Sequence, residues 1–133
     1  MKYYVLHGDV PSKKNSKQIF INRRTGQRFI TASSAFKAWN KTATKELMAE
    51  LMAHKLQHIA LEPLDVVEKI TLIFYPSTKR ASDLTNRAEG VMDLLVDCGV
   101  IQDDNWFVVG HLVLQFESVD KNNPRCEIFI EGE

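Results

Sequence analysis

Long apolar runs are missing from this sequence. No stretch approaches the about 20 consecutive apolar residues that a membrane-crossing helix needs, and no apolar segment follows a basic start. The chain is therefore expected to be soluble and cytoplasmic, with no membrane among its partners. Cysteine is scarce as well. Cys98 and Cys126 are the only two, they lack metal-type spacing, and each stands among apolar neighbours. They read as small buried side chains in a reducing compartment. An excess of one charge is also absent: 17 basic residues balance 17 acidic ones, so overall charge announces no nucleic-acid partner. Internal repeats and low-complexity segments are lacking, and 133 residues suit one domain, 1–133, with a core of its own.

The charge that is present is unevenly placed. Between positions 13 and 28 stand Lys13, Lys14, Lys17, Arg23, Arg24 and Arg28 with no acid among them. Such an arm can neutralise phosphates, or it can keep an exposed hairpin soluble and guard its edge. Lys37, Lys41 and Lys45 recur every four residues on what reads as the outer face of a helix, either a phosphate-tracking row or a solvated surface.

Strand signals fall at 2–6, 18–22, 27–31, 66–75, 107–117 and 125–131, with Gly26 marking a hairpin turn between the second and third. A long helix capped by Ser33 or Ser34 should run to about Lys55, with Phe36 and Trp39 anchoring it to the sheet. His54 and His58 have the i,i+4 spacing of a metal pair, but no acid or cysteine nearby completes a zinc ligand set. His7 and His111 are isolated, each a conceivable proton donor. The fold class expected is α+β, one mixed or antiparallel sheet with two principal helices packed on it.

The most informative stretch is 82–106. Leu84, Ala88, Val91, Met92, Leu95 and Cys98 share one side of a helix predicted over 83–98, while Asn86, Glu89, Asp93 and Asp97 form another stripe. Ser82 or Asp83 can cap its start, and Gly99 supplies the permissive backbone at its end. Asp103 and Asp104 follow directly. At about 1.5 Å of rise per residue, Asp83 and Asp97 are too far apart to share an ion. Asp83 needs Glu89 or the Asp103–Asp104 turn, and the turn can reach it only if the strand that follows pairs beside the strand ending near Tyr75. The loop 77–82, with Lys79 and Arg80, is polar and basic, and the helix start it leads to favours an anion.

These residues carry a resemblance. Asp83-Leu84-X-Asn86, then Asp93-X-Leu95, Gly99 and Asp103-Asp104 resemble the signature of the RusA family of Holliday junction resolvases, small bacterial and phage endonucleases. Pro11-Ser12-Lys13-Lys14-Asn15-Ser16 stands where that family carries a Pro-Ser-X-X-Asn-like loop. The resemblance implies an α+β homodimer with a Mg²⁺-dependent site, Mn²⁺ being a possible substitute, that makes paired nicks in branched, four-way DNA. Asp83 matches the first essential aspartate and Asp104 the last; Thr85 stands where the family has a second aspartate, and Glu89 where it has a lysine. Because Thr85 and Glu89 are four apart on a helix, the missing carboxylate can have moved one turn.

On that basis the expected catalytic residues are Asp83, Glu89 and Asp104, and the expected metal ligands are Asp83, Glu89, Asp103 and Asp104. Asp103 would bind a second ion or orient ligand water. DNA contacts are expected from Lys13, Lys14, Lys17, Arg23, Arg24, Lys79, Arg80 and Arg87, with Lys79, Arg80 or Arg87 supplying the cation that Glu89 replaces. Two other readings stay open: a branched-DNA-binding protein with a weakened or inactive site, and an interaction module in which the acidic turn is purely structural.

Overall fold

The central strands show why this chain makes a one-sided sheet. In Lys69–Tyr75 (β4) the residues Ile70, Leu72 and Phe74 are buried while their neighbours are half-exposed, and Arg125–Glu131 (β6) repeats the pattern with Cys126, Ile128 and Ile130. Side chains alternate across a strand, so each strand offers one apolar face. The computed structural model describes residues 1–12, 17–32, 34–57 and 62–132, with the backbone alone for 17–20 and 29–32. Lys13, Lys14, Asn15, Ser16, Ser33 and His58 lie outside the described residues.

The architecture is α+β. Lys2–His7 (β1), β6, β4 and Leu112–Phe116 (β5) form a four-stranded mixed sheet in the order β1-β6-β4-β5. β6 runs antiparallel to both β1 and β4, whereas β4 and β5 are parallel. Tyr4, Ile128, Leu72 and Leu114 thereby line up across all four strands. Two helices, Ser34–Leu56 (α1) and Leu84–Asp97 (α2), supply the other side of the core. The hairpin Lys17–Ile21 (β2) and Arg28–Ala32 (β3) was expected within the one sheet; it instead makes a separate two-stranded sheet. Its turn is closed by the Gly26 N–H donating to the Asn22 carbonyl at 2.7 Å, with Gly26 at φ +71.

The strand expected over 107–117 is shorter and starts at Leu112. The Asn105 side chain is the reason: its Oδ1 accepts the N–H of Phe107 at 2.9 Å and of Val108 at 3.2 Å, while its carbonyl accepts from Val108 and Val109. The apolar residues that look like strand are therefore split by a turn. Val108 and Val109 go into the core, and Trp106 and Phe107 stay 80% and 79% exposed. The strand expected over 66–75 likewise begins only at Lys69, Val67 making an isolated bridge to Val109.

Phe36, Trp39, Ala43 and Leu47 bury one stripe of α1, as their spacing of three and four requires. Phe36 and Trp39 meet α2 as well as filling the core. At Gly90 an added Cβ would come within 3.1 Å of the Phe36 ring and 3.5 Å of the Trp39 ring. Glycine therefore sets how closely the two helices approach. Gly90→Leu is expected to destabilise the protein by about 1–3 kcal/mol, because a side chain must displace two aromatic rings in a packed core. An unfolding midpoint in urea equal to that of the parent would show that these rings yield freely.

The thiol of Cys126 is buried and its pKa pushed up by that burial; Cys98 is half-buried, with its pKa raised by burial and by Asp97. Both are free. No described helix is long and apolar enough to cross a membrane.

Candidate active site at the start of the second helix

The N-terminus of α2 is built by Asp83. Its backbone is extended at φ −81 and ψ 118, and its Oδ1 accepts the Thr85 N–H at 3.0 Å, the ordinary N-cap bond. The same oxygen accepts the Thr85 hydroxyl at 2.7 Å. Thr85 thus holds the carboxylate of Asp83 in place. At the other end Cys98 is the C-cap and Gly99 follows at φ +77, as the sequence leads one to expect.

Between these ends, Ala88, Val91, Met92 and Leu95 face the core together with Gly90 and Leu94. Glu89 stays exposed and reaches a small groove between α2 and β5. Thr85, Ala88, Glu89, Met92, Asp104, Leu112 and Leu114 line it, around a volume of ≈ 220 Å³. The parallel pairing of β5 with β4 is what brings the acidic turn here, since the chain must return along α2 before β5 begins.

The two aspartates of the turn behave differently. Asp103 Oδ1 accepts the Asp104 N–H at 2.7 Å and Oδ2 accepts the Asn105 amide at 3.0 Å. Those bonds stabilise its charge and hold its pKa below the usual 3.8. Asp104 goes the other way. Partial burial raises its pKa, and its contact with Asp103 and the nearby charges of Asp103 and Asp93 raise it further. Asp103 is thus tied into the turn while Asp104 is turned to the groove.

Thr85, Glu89 and Asp104 are therefore brought together, and Asp83 adjoins them through Thr85. Among the described residues, no three His, Cys, Asp or Glu side chains gather closely enough to hold a metal ion. The chemistry of the donors still suits a hard divalent cation: they are carboxylate oxygens from separate segments, and Asp104 is under repulsion that a cation would relieve. His7 is elsewhere, its Nδ1 lying 3.0 Å from Glu46 of α1.

The basic side chains singled out in the sequence and described in the structure occupy four places. Arg23 and Arg24 are exposed on the β2–β3 turn, and Lys79 and Arg80 are exposed on the loop before α2. Arg87 is half-buried and donates to the Ser82 hydroxyl and the Val10 carbonyl, which ties α2 to the segment after β1. Lys37, Lys41 and Lys45 are exposed on α1.

A larger cleft of ≈ 590 Å³ opens at the C-terminal end of β4, and the loop of Lys79 and Arg80 forms one wall. The rest of its lining includes 8–10, 116, 119 and 125, which no local pattern links to that loop. The sheet order does so: Arg125 pairs with both His7 of β1 and Tyr75 of β4. Asp9 then accepts the Ser77 N–H at 2.8 Å and also its hydroxyl, and the Asp120 N–H donates to the Pro76 carbonyl at 2.8 Å.

No family model matches this chain. No curated protein matches it either.

Proposed function

We propose that this chain is a Mg²⁺-dependent, structure-specific endodeoxyribonuclease that resolves four-way DNA junctions as a homodimer, in the manner the RusA resemblance implies. The observation that supports the reading is the shared groove: Asp104, Glu89 and Thr85 line it together, and the Thr85 hydroxyl donates to Asp83. Side chains far apart in sequence thus line one groove.

In this reading Asp83, Glu89 and Asp104 are the carboxylates that would draw in Mg²⁺, or Mn²⁺ in its place, one or two of them binding it directly and the rest through water in its shell. When bound, the ion supplies charge neutralisation and acidifies water for phosphodiester hydrolysis. The chain's own side chains do the rest. Asp103 fixes the turn so that Asp104 stays at the groove, Thr85 orients Asp83, and Lys79 and Arg80 attract the DNA backbone. Arg23 and Arg24 on the hairpin tip extend that attraction along a second arm, with Lys13, Lys14 and Lys17 in the preceding segment. Two copies are needed for paired nicks.

One observation favours the reading in which the protein binds branched DNA and cuts weakly or not at all: the signature's second aspartate is Thr85, and no three-carboxylate group stands among the described residues. A labelled synthetic four-way junction, incubated with the protein with and without Mg²⁺ or Mn²⁺ and compared with linear duplex, separates the two. Paired nicks confined to the junction and to reactions with the cation are expected. Tight, salt-sensitive binding with no product under either cation would leave a binding protein. Absence of salt-sensitive binding would remove DNA altogether.

A further inference from the structure

The larger cleft has a composition that the acidic groove does not explain. Four cationic side chains, Lys79, Arg80, Arg87 and Arg125, line it against a single carboxylate, Asp9, in a chain whose net charge is zero. Two of those cations are already engaged. Arg87 donates to Ser82 and Val10, while Arg125 pairs with Asp120 at 2.8 Å and Glu127 at 2.9 Å and lies 3.8 Å from the centre of the Tyr75 ring. Asp9 is held by Ser77. Lys79 and Arg80 remain exposed, and neither has an ion-pair partner among the described residues. The cleft's unbalanced charge therefore sits on the exposed loop of Lys79 and Arg80.

The inner surface is apolar. Val10, Phe74, Leu84, Phe116 and Val119 supply the apolar part of the cleft's lining. Phe116 keeps 55% of its surface exposed, an uncovered aromatic ring beside a cationic loop. A cleft of this size falls within the range of about 300–1,000 Å³ that takes small ligands. It suits a body that is flat and apolar at one end and anionic at the other. Stacking on an aromatic ring and attraction of a phosphate are the two contacts a nucleotide makes most readily.

We infer that the cleft binds one nucleoside monophosphate unit of a DNA strand, with the phosphate at Lys79 and Arg80 and the base against the Phe116 side. The choice of a nucleotide rests on the nuclease reading above, because Ser82 and Leu84, which line the cleft, flank Asp83. The cleft then holds the nucleotide next to the phosphodiester to be cut, and so sets which bond reaches the carboxylates.

The test uses the full chain, without added metal, and titrates dAMP, adenosine without a phosphate, and inorganic phosphate while following ¹H–¹⁵N amide shifts. dAMP is expected to bind at least about tenfold more tightly than either fragment, with shifts concentrated at 77–82 and 116–119. The double variant Lys79→Ala, Arg80→Ala should weaken dAMP by about tenfold with an unchanged unfolding midpoint, since both side chains are exposed. Shifts outside the cleft, equal binding of phosphate and dAMP, or a double variant that binds like the parent would overturn the assignment. Junction cleavage without dAMP binding would remove the cleft and keep the nuclease. dAMP binding without cleavage would do the reverse.

Discussion

Asp104→Asn is expected to lose Mg²⁺-dependent junction cleavage by at least about 100-fold, because several kcal/mol of charge stabilisation at the reacting phosphate disappear with one ligand. Junction binding should persist or tighten, since the substitution removes a negative charge from a surface that, on the proposed reading, would face a polyanion. Folding should persist as well. Asp104 is exposed, its backbone N–H keeps its bond to Asp103, and the carboxylate removed is the one that burial and the charges of Asp103 and Asp93 disfavour. Asp83→Asn is expected to match it. Asparagine caps a helix about as well as aspartate, so α2 keeps its first turn while the charge is lost. Cleavage products from purified variants, measured beside parent protein on the same junction, give the answer. If either variant cuts at the parent rate, the carboxylates at 83 and 104 do not form the ligand set.

The second large effect is structural. Ile128→Ala should cost about 3–4 kcal/mol, within the range for removing a large aliphatic side chain from a packed core. Ile128 is 0% exposed on β6, with Tyr4 beside it on β1 and Leu72 on β4. Hydrogen-bonded strands on both sides keep the sheet from closing around the void, so the cavity persists. Against a typical total of about 5–15 kcal/mol, this is a large share of the stability. Urea unfolding followed by the fluorescence of buried Trp39 measures it. A loss below about 1 kcal/mol would mean that the sheet's centre repacks.

Much of the site's scaffold is legible in the sequence. The spacing of Ala88, Val91, Met92 and Leu95 identifies α2 to within a residue, and the residue types at 82–83 and 99 mark where it begins and stops. Periodicity and capping chemistry are local, so a single sequence carries them. Residues 105–110 were not legible in the same way. An apolar run is compatible with a strand or with a turn whose residues split between core and solvent, and the side chain of Asn105 decides for the turn. Thr85 looked like a missing carboxylate. Only its hydroxyl bond to Asp83 gives it a positioning role.

The sequence by itself determined the helices, the buried alternation of β4 and β6, and the acids and cations available for chemistry. Tertiary structure alone decided that β5 lies parallel to β4, that Asp104 lines one groove with Glu89 and Thr85, and that 8–10, 116, 119 and 125 share a cleft with the loop of Lys79 and Arg80. The reason is physical. Local preferences depend on residues within a turn or two, whereas strand order depends on which apolar faces can be buried together across the whole chain.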